Sequence, residues 1–397
     1  MKQTLLWIGA LVLGALLGIS DMGWLLSALD FIADVYTRLF RLLAVPAIVL
    51  AVVSALSSLG SQSDTGRVFC RTLAYTLLTT FAAAAVGLVL YLLVAPEPLS
   101  VTADAGIAEA GVGEGLGYRD HFLSVIPDNP VRPFLDGNVL SLLLLSFAVG
   151  IGLSRLPASD GKTSLLNLLD GLRSLLFLLI RWLVWSLPLG IVAFSAQLAV
   201  QLSAGVVADS LGKYVLVVLV GNVIQFFVIL PLFLLARGLN PLHVLSRMSP
   251  AVLMALFTKS SAATLPVTME SAERRLGVRS EIARFVLPVC TTVNMNGCAA
   301  FILVTSLFVM QSGGMTLSLP EMLLWLLVSV VAAVGNAGVP MGCYFLTFSL
   351  MSGIGAPVPV LAAILPIYTV IDMVETAENV WSDSCVCAMT DSDLKSD

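Results

Sequence analysis

The sequence predicts an all-α membrane protein of eight transmembrane helices and two re-entrant helical hairpins. Three observations carry that reading. Of 397 residues, 58% are hydrophobic and 11% charged, and the mean hydropathy is +0.99. Soluble domains run near a quarter charged, so this is an integral membrane chain. Apolar segments of bilayer length then recur along it. Two further apolar segments, 244–276 and 318–354, are broken in the middle by small, polar residues and proline.

The eight spans are predicted at 4–20, 39–58, 69–95, 137–154, 166–202, 212–239, 283–311 and 357–389. The first, from Leu5 to Ile19, reads as a span rather than a cleaved leader, because no small-residue cleavage pattern follows it. The segment 95–136 is Gly-rich, carries Asp104, Glu109, Glu114, Asp120 and Asp128, and reads as an exposed loop. The six cysteines (Cys70, Cys290, Cys298, Cys343, Cys385, Cys387) sit in or beside apolar segments and read as small packing residues. With only His121 and His243 available, Cys385 and Cys387 assemble no metal set. The net charge of −5 is uninformative for a membrane chain, and no basic tract suggests nucleic acid.

Lysine and arginine set the topology. Arg67 and Arg71, Arg155 and Lys162, Arg237 and Arg247, and the set Arg274, Arg275, Arg279 and Arg284 all fall on the cytoplasmic side if the N-terminus does. The alternation holds only if 244–276 enters and leaves from the cytoplasm and 318–354 from outside. Ordinary proline-kinked spans would upset it. The hairpin tips read Thr258-Lys259-Ser260-Ser261-Ala262-Ala263-Thr264-Leu265-Pro266 and Gly335-Asn336-Ala337-Gly338-Val339-Pro340. Proline breaks a helix, and irregular backbone at membrane depth survives only beside protein or a water-filled cavity. Paired interruptions of this kind point to a transporter site at the membrane midplane.

Span seven contains Asn294-Met295-Asn296-Gly297, which favours local unwinding and frees carbonyl oxygens. In the last span Asp372, Glu375, Thr376, Asn379 and Asp383 recur on one helix face. Acids in a membrane helix are costly unless they face a protein interior or a cavity, so the stripe reads as a cation and substrate site. Asn294, Asn296, Asn379 and Asp383 offer the oxygen ligands a hard cation wants, and Asp383 implies a counter-ion.

With these motifs placed, the chain resembles the dicarboxylate/amino acid:cation symporter family, to which the glutamate transporters belong. The resemblance covers nearly the whole chain. It rests on Leu42-Leu43-Ala44-Val45-Pro46, Leu78-Thr79-Thr80, Lys259 to Pro266, Asn294-Met295-Asn296-Gly297, Ala337-Gly338-Val339-Pro340 and the stripe from Asp372 to Asp383. An archaeal member is a standard example of inverted repeats. The resemblance implies a homotrimer with a glutamate-transporter-like elevator fold. Residues 1–66 and 96–204 would form a scaffold with the extracellular loop, and 67–95 and 205–397 a mobile transport domain. It implies that Asp372 takes the substrate's ammonium group. Asn379 and the Ser260-Ser261 tip take its carboxylate. Thr376, Cys298, Ala337, Gly338 and Val339 line the pocket. For sodium it implies one site from Asn294, Asn379, Asp383 and the Cys290 carbonyl. A second comes from Thr79, Thr80, Asn294 and Asn296, and a third from Ala333, Val334 and Asn336. Met295 lines this region.

The departures from the family pattern bear on substrate. Acidic amino acid carriers have arginine where this chain has Glu375; an ionised glutamate there repels a substrate carboxylate, while the same group could welcome a cationic side chain or take up a proton and donate a hydrogen bond. Glu375-Thr376-Ala377-Glu378-Asn379 is instead similar to the serine/threonine branch. Lys259 is placed to pair with Glu375 or Asp372. Asn296 and Tyr368 stand where relatives carry aspartate, which weakens the second sodium site. Glu378 is expected at the rim, and Tyr75, Tyr368 and Trp381 in packing or interfacial roles.

The expected function is therefore not enzymatic. It is symport of a small neutral amino acid with Na⁺, or with H⁺ as the alternative coupling ion, across a bacterial inner membrane with both termini cytoplasmic. A cationic or acidic substrate is the second reading. An amino-acid-gated channel or sensor is the reading from another class.

Overall fold

A computed structural model of the chain describes residues 2–20, 22–59, 66–99, 126–136, 139–201, 204–334, 336 and 341–396. Among these every regular element is helical, with no strand. The helices are α1 (Lys2–Gly18), α2 (Gly23–Leu59), α3 (Gly66–Val94), α4 (Arg132–Asp136), α5 (Val139–Arg155), α6 (Asp160–Gln201), α7 (Ala204–Ile224) and α8 (Leu230–Ala236). They continue with α9 (Pro241–Thr258), α10 (Ser261–Glu270), α11 (Ser280–Val293), α12 (Asn296–Ser312), α13 (Leu319–Val334), α14 (Gly342–Gly353) and α15 (Val358–Ser396). Single π-helical turns, Gln225–Ile229 and Ser271–Leu276, join α7 to α8 and extend α10.

The expected breaks are present. Asn240 caps α9 through its side chain, followed by Pro241 at the first helical position, where a missing N–H costs nothing. The helix ends at Lys259, whose left-handed backbone (φ 54°) turns the chain. Ser260 then caps α10 by accepting from the Ala263 N–H at 3.2 Å. Between α11 and α12, Asn294 and Met295 leave helical geometry (ψ 76° and 68°), as the Asn/Gly run implied. The last span is bent by 67° between Leu365 and Ile367, at a proline. The second helix begins at Gly23, well before the predicted residue 39, because nothing between them interrupts helical geometry.

Arg67–Val94, Asp209–Ala236 and Ser280–Ser312 are each long and apolar enough to cross a membrane, and the bent pair within α15 makes a fourth candidate. The exterior is apolar: Trp185 is 84% exposed and Phe227 63%. Thr79, Thr80, Asn222, Asn294, Asn296, Asp372, Glu375 and Asp383 are instead buried. Large apolar side chains outside and polar ones inside suit a lipid surround.

Helix α1 packs on α6, and α2 on both α5 and α6. Gly14 and Gly18, four apart, let α1 lie against the α6 backbone at Val192 and Ala196; a Cβ at either would collide with it. The other assembly forms around α12 and α15, which contact each other, with α3, α13 and α14 on α12 and α9 and α11 on α15. Two apolar cores flank the polar interior. One centres on α12, α13 and α14 with the first part of α15, and the other on α9, α11 and the distal part of α15, including Trp381 and Met389. At the far end of α15, Asp391 pairs with Arg279 (2.7 Å) and Lys395 (2.6 Å), and Asp393 with Arg71 (3.6 Å) and Arg237 (3.7 Å). Arginines from three separate positive segments thus meet the C-terminal helix at one end of the molecule.

Candidate functional site

The polar interior lies where the break between α11 and α12 meets the middle of α15 and the start of α14. All five members of the stripe are buried, with Asp372 4% exposed and Glu375 1%. The Asp372 carboxylate accepts the Met341 backbone N–H at 3.2 Å, which ties α15 to the entry of α14. The Thr376 hydroxyl donates to the Asp372 carbonyl at 2.7 Å. Asn379 Oδ1 accepts the Gly297 N–H at 3.0 Å, and its Nδ2 points to Cys298 Sγ at 3.5 Å. A Cβ on Gly297 would press on Glu375 Cα at 3.0 Å and Asn222 Oδ1 at 3.1 Å, so the close approach of α12 to α15 requires glycine.

A second cluster of oxygens lies beside it. Thr80 Oγ1 donates to Asn296 Oδ1 at 2.8 Å, and Thr79 Oγ1 lies 3.2 Å from Asn294 Oδ1 and 3.4 Å from Asn296 Oδ1. Asn294 Nδ2 donates to Asp383 Oδ1 and to Ser382 Oγ, each at 2.9 Å, and Asn296 Nδ2 donates to Ser382 at 2.8 Å. The donor set is hard oxygen with one carboxylate, the chemistry an alkali cation takes. Cys290 O accepts the Asn294 N–H at 2.8 Å, and Ala333 O accepts the Asn336 N–H at 3.0 Å; each keeps a second lone pair. Met295, expected to line the cation site rather than the core, is fully buried in the apolar core. Ser261 is buried at the start of α10, and Val334 ends α13. Ala337, Gly338 and Val339 lie outside the described residues.

Four expectations are corrected. Cys298 and Cys343, taken as packing residues, are joined in a disulfide across 45 residues of chain, because the break before α12 and the start of α14 face each other. Glu378, expected at the rim, is 1% exposed, since α15 is covered on that side too. Neither of its carboxylate oxygens has a hydrogen-bond partner among the described residues. Tyr368 does more than pack: its hydroxyl donates at 3.2 Å to Oε2 of Glu375, two turns further along α15. Lys259 forms no direct ion pair with Asp372 or Glu375 among the described residues, and its charge acts on Asp372 only at longer range.

Ser382, Asn222 and Gln225 were missed by the sequence reading. Ser382 joins both asparagines of the break, but one serine in a helix carries no signal by itself. Gln225 Nε2 donates to Thr79 O at 3.1 Å, and Asn222 approaches Gly297. Two amides three residues apart in an apolar span were the available sign.

The whole-chain comparison decides the family. The profile described as the sodium:dicarboxylate symporter family matches residues 4–392. The chain belongs to that family. It is a membrane symporter and not an enzyme. It is 30% identical over 425 residues to rabbit (Oryctolagus cuniculus) Neutral amino acid transporter B(0), covering 96% of this chain and 78% of that one. It is 29% identical over 427 residues to human Neutral amino acid transporter A, covering 96% and 80%.

Proposed function

We propose that this symporter carries a small neutral amino acid of the serine, threonine or alanine class together with sodium. The observation that carries the reading is Glu375. It is buried, holds the Tyr368 hydroxyl on Oε2, and leaves Oε1 with no partner among the described residues. In its ionised form Glu375 would repel a substrate carboxylate brought to about 4 Å by about 4 kcal/mol at an effective dielectric of 20. A hydroxyl would instead donate to Oε1. The names of the relatives above support a neutral substrate.

In this reading Asp372 takes the substrate ammonium. Asn379, Ser260 and Ser261 take its carboxylate, with Thr376, Cys298 and the 337–339 segment completing the pocket. Sodium is held by Asn294, Asn379, Asp383 and the Cys290 carbonyl. Thr79, Thr80 and Asn296, with Asn294, form a second cluster, and Ala333, Val334 and Asn336 a third. The helices form eight spans and two re-entrant hairpins. Residues 67–95 and 205–397 move as an elevator against a trimeric scaffold of 1–66 and 96–204. Both termini lie on the cytoplasmic side of a bacterial inner membrane, consistent with the arginines gathered on the end of α15.

The test is uptake into proteoliposomes. Labelled serine accumulates when an inward sodium gradient is imposed and not under an equal potassium gradient. Accumulation driven only by a proton gradient would replace sodium, and uptake of aspartate or lysine but not serine would replace the substrate.

Tyr368 sharpens the substrate side. It is fully buried between Phe301 (ring centroids 4.5 Å) and Tyr344 (5.6 Å), so its hydroxyl is held in place. Tyr368→Phe keeps the ring and removes the donor to Glu375. The Glu375 carboxylate is then no longer held in place, and binding must immobilise it at about 0.5–1.5 kcal/mol. At 1.4 kcal/mol per decade, serine affinity is therefore expected to fall about 2- to 10-fold while alanine affinity changes little, read by competition against labelled serine. Equal losses for both would mean that Tyr368 only packs.

A further inference from the structure

We propose that Cys298 and Cys343 form a reversible thiol–disulfide site that locks the substrate pocket. The proposal rests on the pocket assigned above. The two cysteines sit on separate elements: Cys298 in the first turn of α12, Cys343 at the start of α14. Their Cα atoms are 5.5 Å apart, within the roughly 4.4–6.8 Å that a disulfide accepts without moving the backbone. The side-chain amide of Asn336, beyond the end of α13, donates to both sulfurs at 3.0 Å.

The bridge spans the pocket. On the α12 side, Cys298 follows Gly297, whose N–H holds Asn379, and its sulfur faces the Asn379 amide. On the α14 side, Cys343 lies two residues beyond Met341, whose N–H holds Asp372. A Glu375 carboxylate oxygen lies within 4.8 Å of both sulfurs. The covalent link therefore joins the two walls that meet over Asp372 and Asn379. While it persists, the start of α14 cannot move away from α12, and a ligand reaching those residues between the two walls has no route in or out.

The chemistry closes on itself with a small disulfide as oxidant. One cysteine thiolate attacks the disulfide RSSR and releases RSH, leaving a mixed disulfide. The second cysteine then displaces R as another RSH and closes the protein bridge. Two protein thiols lose two electrons and two protons, and both reside on the two released thiols. A small dithiol reverses the sequence. Both cysteines are 2% exposed, too covered for a mixed disulfide to form in this closed arrangement. Attack therefore occurs while α12 and α14 are apart, and closure completes the bond. Cys70, by contrast, is an exposed free thiol, and Cys290, Cys385 and Cys387 are buried free thiols.

The test compares the full chain, purified under dithiothreitol, before and after treatment with cystamine and after renewed reduction. Digestion under thiol-blocking conditions is expected to yield, only after cystamine, a crosslinked peptide containing both Cys298 and Cys343. Amide exchange across Met341 to Phe348 is expected to slow at least 10-fold in the crosslinked protein. Sodium-driven serine uptake should fall at least 10-fold, and dithiothreitol should restore both. In Cys343→Ser, cystamine should leave exchange of this segment unchanged. Absence of the crosslinked peptide, or a crosslinked protein that exchanges as fast as the reduced one, overturns the lock. A protein that crosslinks and slows its exchange but takes up no serine in either state supports the lock and counts against the proposed substrate.

Discussion

Asp372→Asn is expected to lower sodium-driven uptake about 100-fold. The substitution keeps an oxygen to accept the Met341 N–H, so the tie between α15 and α14 survives. What disappears is the negative charge facing the substrate ammonium. A charge-assisted hydrogen bond contributes about 1.5–3 kcal/mol, and the higher figure applies in a buried site such as this one. At 1.4 kcal/mol per decade that is about two orders of magnitude in affinity. Unfolding without substrate should not worsen, because the desolvation of a buried carboxylate burdens the folded state by more than the attraction of Lys259 returns. The measurement is serine affinity by thermal shift alongside uptake. A variant that binds serine within about threefold of the parent would place the ammonium elsewhere.

Glu375→Arg is expected to reverse substrate charge preference. Serine uptake should be lost, and aspartate should now stabilise the protein in a sodium-dependent thermal-shift assay. The physical basis is the exchange of a lone acceptor for a planar cation with five donors, which matches a carboxylate with two parallel hydrogen bonds. Tyr368 can still donate or accept beside it, so the pocket wall is not otherwise rebuilt. A ligand present at 100 times its dissociation constant stabilises by about 2.7 kcal/mol, well within reach of the assay. A folded variant that responds to neither amino acid, or still prefers serine, would remove Glu375 from the side-chain end of the pocket.

Much of the site was legible because bilayer chains advertise polar residues. The stripe from Asp372 to Asp383 stands out against apolar neighbours, and its helical spacing alone puts its members on one face. The breaks at Lys259-Ser260 and Asn294-Met295 were legible for the same reason, since proline, glycine and asparagine act on the backbone locally. Glu378 shows the limit. Its angle about the helix separates it from Glu375, but whether that other face meets solvent or protein depends on which elements cover α15.

Taken alone, the sequence determined the class of protein, the order of its helices, their interruptions and the acids and amides available for a polar interior. These follow from composition and from local backbone preferences, which act over a few residues. Only the tertiary structure decided who meets whom: Ser382 between two asparagines, Tyr368 on Glu375, the end of α15 on three distant arginines, and Cys298 on Cys343. Such pairings join residues from 7 to more than 300 positions apart. They are set by how broken helices pack around α12 and α15, and no local pattern encodes that packing.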